Sequence, residues 1–273
     1  MVRPSQRRDQ VAYSIRTFGI SAAKACKITG LHRSVWYYKT QRDDSAVIEK
    51  LQQMAQELPQ NGCKKWTTKI RKDGFPWNPK RIHRVYKLLN MNLRRKGKRR
   101  IPARVKQPLQ VPESLNTTWS IDFVSDQLAS GRRFRVFNVI DDHNLEAIAI
   151  SPDYSIPGWK VTGAIREIIS YRSKPARIRM DNGPEFRSTE MTEFCKAEGI
   201  EIIYIQPGKP MQNGYIERFN GSYRKEVLDA YLFHTLDEVR EISLDWMIHY
   251  NTIRPHDGLG GKTPMEHVET RNE

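Results

Sequence analysis

Cysteine is scarce in this chain of 273 residues: Cys26, Cys63 and Cys195 are odd in number, far apart, and show no Cys-x-x-Cys or His-x-x-x-His spacing. A disulfide framework is thereby excluded and no structural zinc is expected, so the three read as buried thiols in a reducing compartment. Long apolar runs are missing too. No stretch approaches the ~20 residues of a membrane span. The opening Met1-Val-Arg-Pro-Ser-Gln-Arg-Arg-Asp-Gln10 has no apolar signal core, so no membrane partner is expected and the expected location is the cytoplasm. Acidic residues are absent from positions 74 to 112. Of the net charge of +15, residues 1–112 hold 27 Lys/Arg against 6 Asp/Glu, net +21, and residues 113–273 hold 19 against 25, net −6. Solubility needs no such clustering, whereas each cation that neutralises a phosphate releases counterions and adds affinity, so the first half is expected to meet a nucleic acid.

The length suits one domain of about 150 residues with smaller units beside it. Four segments are expected: 1–45, helix-turn-helix-like; 46–100, a basic helical DNA-binding domain; 101–114, a linker; and 115–273, a larger α/β domain with C-terminal helices. In the first, Ser21 is the N-cap of a helix Ala22–Ile28, Gly30 breaks it, and a second helix runs through Ser34-Val-Trp-Tyr-Tyr38. In the second, helices are expected at Cys63–Asp73 and Pro79–Asn90, the later one capped by Asn78 and opened by Pro79. Ile82, Val85, Tyr86 and Leu89 form its apolar face, leaving Arg81, Arg84 and Lys87 for phosphates. Arg94-Arg-Lys-Gly-Lys-Arg-Arg100 extends that basic run, and Pro102, Pro108 and Pro112 punctuate an extended linker.

Beyond the linker the periodicity turns to strands. Thr117–Val124, Arg133–Ile140 and Ala147–Ser151 read as an antiparallel meander. Helix Gly158–Ser170, strand Ala176–Met180, helix Ser188–Glu198 closed by Gly199, and strand Glu201–Ile205 follow. The order βββαβαβ predicts a mixed five-stranded sheet with flanking helices, followed by helices Gly214–Tyr231 and Leu236–Asn251, the last opened by the capping box Thr235-Leu-Asp-Glu238.

Three acids stand out against this frame. Asp122 lies inside an apolar strand, where an ionised carboxylate is costly without a compensating cation or hydrogen bonds. Asp181 ends a strand just before an Asn182-Gly183 turn, and Glu217 opens a helix on the polar stripe it shares with Asn220, Gly221 and Arg224. Hard divalent cations want oxygen ligands, and two such ions can assist both the attacking and the leaving oxygen of a phosphodiester. Asp126, Asp141, Asp142 and Asp153 sit at strand ends, where turn chemistry explains them.

The strings Trp119-Ser-Ile-Asp-Phe-Val124, Asp181-Asn-Gly-Pro-Glu-Phe186 and Gln206-Pro-Gly-Lys-Pro-Met-Gln-Asn-Gly-Tyr-Ile-Glu-Arg-Phe-Asn-Gly221 carry a resemblance. With 35 residues between Asp181 and Glu217, they resemble the catalytic core of retroviral-type integrases. More narrowly they resemble the second-reading-frame transposases of bacterial insertion sequences, and Tyr250-Asn-Thr-Ile-Arg-Pro-His256 and Leu259-Gly-Gly-Lys-Thr-Pro264 continue the match. The resemblance covers nearly the whole chain. It implies a ribonuclease-H-like fold in which Asp122, Asp181 and Glu217 hold two Mg²⁺ or Mn²⁺ ions, and a reaction of end cleavage followed by strand transfer. It further implies double-stranded DNA as partner, a homo-oligomer on DNA and a partner protein from the upstream frame. The location it implies is a bacterial cytoplasm, nucleoid-associated when on DNA. Lys209, Gln212 and Asn213, in the loop Gln206–Asn213, and Arg218 and Lys225 on the Glu217 helix are the DNA contacts it suggests. The His/Cys zinc unit of retroviral integrases is absent. Two alternatives remain at this point: a catalytically silent DNA-binding regulator, and a nuclease that hydrolyses without joining.

Overall fold

The computed structural model of the chain describes residues 4–38, 43–92, 112–206 and 210–269. The chain falls into two units, Met1–Val47 and Ile48–Glu273. The Arg94–Arg100 run, most of the 101–114 linker, Gly208 and Lys209 lie outside the described residues.

In the first unit, α1 (Pro4–Phe18) precedes α2 (Ala22–Thr29) and α3 (Arg33–Tyr37). The Lys24 N–H donates to Ser21 Oγ at 3.3 Å and caps α2, which ends where Gly30 turns left-handed at φ 65°. A non-glycine residue is strained there. Val11, Ala25, Cys26 and Leu31 make a small core. Helix α1 escapes a reading by periodicity because its apolar stripe is thin. Arg7 and Arg8 on it serve instead to donate to the backbone carbonyls of Gly30 and Val35.

In the second unit, α4 (Ser45–Glu57), α5 (Cys63–Lys72) and α6 (Pro79–Leu88) bury Leu51, Met54, Trp66, Ile70, Ile82, Val85 and Tyr86. The expected cap is present: the Lys80 N–H donates to Asn78 Oδ1 at 2.8 Å. The sheet then follows, with β1 (Thr118–Gln127), β2 (Arg133–Asp141), β3 (Ala147–Asp153), β4 (Arg177–Met180) and β5 (Glu201–Tyr204) in the order β3-β2-β1-β4-β5. β1, β2 and β3 are antiparallel, and β4 and β5 run parallel to β1. Each parallel crossover carries a helix, α7 (Gly158–Tyr171) before β4 and α8 (Thr189–Glu198) before β5. This is the ribonuclease-H-like mixed five-stranded sheet expected from the sequence.

Strand alternation divides the core. Trp119, Ile121, Phe137, Val139, Ile178 and Met180 point to one face with Val161 and Ile165 of α7 and Met191 and Phe194 of α8. Val124, Phe134, Val136 and Ile140 point to the other face, covered by α9 (Gly214–Tyr223) and α10 (Leu236–Thr252) through Ile216, Phe219, Tyr223, Val239 and Tyr250. With a side-chain period of two, Asp122 shares the α9 face with Val124, and Asp181 lies beyond Met180 on that same face.

Besides α1 and α4, for which the sequence reading has no helix, two features toward the C-terminal end depart from it. The helix after Gly214 stops being α-helical at Arg224, where a π-turn (Arg224–Leu228) inserts an extra residue. The turn aims Glu226 at α10, where it accepts from Trp246 Nε1 at 3.0 Å and pairs with Arg254. A short helix α11 (Pro264–Glu269) also follows α10, capped reciprocally by Thr263 and Glu266 and tied to α5 by Lys72.

The edge strand β3 is blunted by a side chain. Asn251 Oδ1 accepts the Ala147 N–H and Asn251 Nδ2 donates to the Ala147 carbonyl, both at 2.9 Å. Ala147 is buried, so removing the amide orphans two backbone groups. Asn251→Ala is expected to lower unfolding free energy by about 1–3 kcal/mol, read from urea denaturation; an unchanged midpoint would show that these bonds carry no stability.

Candidate active site

Asp122 sits mid-strand on β1, opposite Asn138 of β2. Its Oδ1 accepts the N–H of Phe123 at 2.8 Å, and its Oδ2 accepts Nδ2 of Asn220 at 2.8 Å. Asn220 Oδ1 in turn accepts Nδ2 of the fully buried Asn138 at 2.8 Å. A relay of two amides therefore fixes the carboxylate against α9. Glu217 lies three residues before Asn220, one turn back on the same side of that helix, and its side chain is exposed.

Asp181 arrives from the other neighbour of β1. The parallel register pairs Ser120 with Arg179, and extending it by two residues sets Asp181 level with Asp122. Asp181 Oδ1 accepts the Gly183 N–H at 2.8 Å. A Cβ on residue 183 would stand 2.9 Å from that oxygen, so the turn requires glycine for close approach. Asn182 anchors the same turn by donating to the Ile205 carbonyl at 2.7 Å. Below it Phe186 stacks on Phe123 at 4.7 Å between centroids, and Arg135 lies over Phe123 while pairing with Glu185.

The three acids share an electrostatic field. Burial pushes the Asp122 carboxyl up to about 6; the Phe123 and Asn220 hydrogen bonds pull it down, and the charges of Asp181 and Glu217 push it further up. Among the described residues, no three His, Cys, Asp or Glu side chains stand close enough together to hold a metal ion. The three offer carboxylate oxygens, the ligand type hard divalent cations prefer, and the hydrogen bonds to Asp122 come from an amide and a backbone N–H, not from a cation.

The strand-end aspartates have structural partners. Asp141 accepts the N–H groups of Asn116 and His143 and lies 3.6 Å from Arg172. Asp142 pairs with Arg179, Asp153 pairs with Lys160, and Asp126 lies 3.7 Å from Arg224.

Of the residues suggested to touch DNA, Arg84, Lys87, Arg218 and Lys225 are exposed and Arg81 is half-buried. Gln212 Oε1 accepts the Gln206 N–H at 2.9 Å. Asn213 is buried. Asn220 and Asn138 are the functional residues that went unassigned in the sequence reading. Asn138 carried the same signal as Asp122, a lone polar residue inside the apolar string Arg133-Phe-Arg-Val-Phe-Asn-Val-Ile140.

The chain carries an integrase core: two integrase core domain profiles match it, over residues 112–210 and 198–264. The particular family follows from whole-chain relatives. The chain is 36% identical over 249 residues to the 31.7 kDa protein of insertion element IS407 from Burkholderia multivorans, covering 90% of each. It is 26% identical to transposase InsD of insertion element IS2 from Escherichia coli, over 84% of this chain and 80% of that one. The chain belongs to the integrase-core family of bacterial insertion-element transposases. Among solved structures, the HTLV-2 integrase catalytic core in complex with magnesium aligns with a TM-score of 0.44 and 23% identity, over 55% of this chain and 95% of that one.

The Asp122 shift has a measurable consequence for stability. An unfolded aspartate ionises near 3.9, so between about pH 4 and pH 6 the folded chain holds more protons, and stability falls as pH rises through that window. Without divalent ions, Asp122→Asn is expected to stabilise the chain at pH 8 by on the order of 2 kcal/mol after allowing for solvent screening. The gain should vanish below about pH 4, and urea denaturation in chelator at both pH values checks it; a gain independent of pH would assign the effect to something other than ionisation.

Proposed function

We propose that this chain is a DNA strand-transferase that cleaves at the ends of its element and joins them to target DNA, with Asp122, Asp181 and Glu217 as the catalytic acids. The observation that carries the reading is the desolvated Asp122, fixed by Asn220 on the helix of Glu217 and level in the sheet with Asp181. Mg²⁺ or Mn²⁺, in a pair, would supply activation of water or a DNA 3′-hydroxyl and stabilisation of the leaving 3′-oxygen. The chain's own contribution is position. Asn220 and the Phe123 N–H hold Asp122, Gly183 holds Asp181, and the first turn of α9 presents Glu217. Asp122, Asp181 and Glu217 are the residues that would hold the ions.

DNA approach is assigned to cations outside the trio. Arg81, Arg84 and Lys87 on α6 and Lys209, Gln212, Asn213, Arg218 and Lys225 around α9 are proposed to position the duplex through phosphates and loop contacts. The segments 1–45 and 46–100 are proposed as DNA-binding units, 101–114 as the linker and 115–273 as the catalytic domain. A homo-oligomer on DNA, and a partner or fusion from the upstream frame, belong to the same reading. Its proposed location is the bacterial cytoplasm, on the nucleoid when bound to DNA.

Alanine at Asp122, Asp181 or Glu217 is expected to reduce Mg²⁺- or Mn²⁺-dependent nicking and joining by about 10³-fold or more while leaving duplex retention intact. Gel assays on candidate terminal repeats check it. Wild-type activity in any one of the three variants removes that residue from the site. Metal-dependent nicks without branched joined products would favour a hydrolytic nuclease, and retention without either product would favour a regulator.

A further inference from the structure

Helix α9 has a second polar stripe beside the one that faces Asp122. Tyr215, Arg218 and Ser222 recur at helical spacing and form one wall of a cleft of about 320 Å³, which Lys65 of α5 and Arg254 and Asp257 of the segment after α10 complete. The charges in this cleft are unevenly matched. Arg254 is spoken for, paired with Glu226, and Asp257 pairs with Lys64 at 2.8 Å. Among the described residues, neither Lys65 nor Arg218 has a carboxylate within ion-pair distance.

Resting on the strand-transferase reading, we propose that this cleft is a docking site for a backbone phosphate of duplex DNA, bound by Lys65 and Arg218 with hydroxyl support from Tyr215 and Ser222. The chemistry fits an oxyanion: a forked guanidinium, a point-charge ammonium and two hydroxyls converge on a space suited to a small group. Burial and the Arg254 charge push the Lys65 ammonium down to about 8 against the upward pull of Glu226 and Asp257, so an anion directly beside it would stabilise its charged form further. Neighbouring His256 adds no positive charge, because burial holds its imidazole down to about 4. The stripe of Glu217 and the stripe of Arg218 lie side by side on one helix, so a duplex reaching the acids passes the cleft.

The test is the salt dependence of duplex binding by the full chain, followed by fluorescence anisotropy, for wild type, Lys65→Gln, Lys65→Arg and the neighbouring Lys64→Gln. Lys65→Gln is expected to weaken binding about three- to tenfold near physiological salt, alike for unrelated sequences, and to flatten the log–log salt slope by about one. Lys65→Arg should restore both, and Lys64→Gln should change the slope less. An unchanged slope in Lys65→Gln, or equal effects at positions 64 and 65, overturns the proposal. Should Lys65→Gln fail to fold, wild type gives the same answer by NMR. Duplex should raise the Lys65 ammonium toward ordinary lysine values, and no rise with duplex overturns the proposal. A rise with inorganic phosphate but not with duplex also overturns it, leaving a free-phosphate site. If wild type binds the duplex and joins it while Lys65→Gln matches it, only the cleft assignment falls. If wild type retains no duplex even at low salt, the strand-transferase reading itself falls.

Discussion

The constraint on which the rest depends is an aspartate kept in the middle of a strand without a cation to pair it. A contrast within the same sheet makes the point. Asp142 and Asp122 are both pushed up to about 6 by burial, yet Asp142 has the guanidinium of Arg179 beside it while Asp122 has the amide of Asn220. A guanidinium cancels charge; an amide offers a hydrogen bond and leaves the charge in place. The first arrangement pairs the charge where it stands, at the turn after β2. The second leaves negative potential that Asp181 and Glu217 add to, and the proposed metal site rests on that potential.

The requirement sets the position of α9. Asn220 has to reach β1 and β2 at once, so the helix must cross above the Asp122–Asn138 pair, and Ile216, Phe219 and Tyr223 bury the flank that holds it there. The C-terminal segment then acts as a brace. Phe219 meets Tyr250 edge to face at 5.0 Å, Asn251 clasps the edge strand, and Arg254 returns to Glu226 on the π-turn. The Tyr250-Asn-Thr-Ile-Arg-Pro-His256 string is thus largely accounted for by architecture. A buried aromatic, a doubly bonded amide and a paired guanidinium lock α10 to the sheet and to the helix of Glu217.

Much of this was legible in the residues, and what was not has identifiable causes. The succession of strands and helices followed from β-branched runs set off by Gly199, Ser188 and the Thr235–Glu238 box, because these signals are local; the order of strands within the sheet did not. Asp122 announced itself as a charge in an apolar string. Asn138 gave the same kind of signal more weakly, since a neutral amide costs less to bury, and the bond joining it to Asn220 spans 82 residues. No local pattern encodes such a pairing. The π-turn was equally invisible: Arg224–Leu228 continues a helical periodicity, and the extra residue is stabilised by Trp246 and Arg254, both supplied from farther along the chain. Helix α1 was missed for the opposite reason, a polar surface whose order comes from arginines bonding to carbonyls across the unit.

On the proposed assignments, the two polar stripes of α9 resolve a difficulty inherent in the site. A cluster of carboxylates repels the phosphate it is meant to process, and the repulsion is strongest before any divalent ion is bound. Cations placed within the cluster would pair with the acids and remove the potential that selects a metal. Cations displaced by about 100° around the same helix avoid that cancellation while staying close enough to attract the backbone. Arg218, adjacent in sequence to Glu217 but turned toward the Lys65 cleft, has that relation to it. Affinity for DNA and affinity for the ion can then be separated in space although both are carried by one helix, and the amide relay from Asn138 through Asn220 keeps the acid stripe in register with the sheet while the cation stripe faces away.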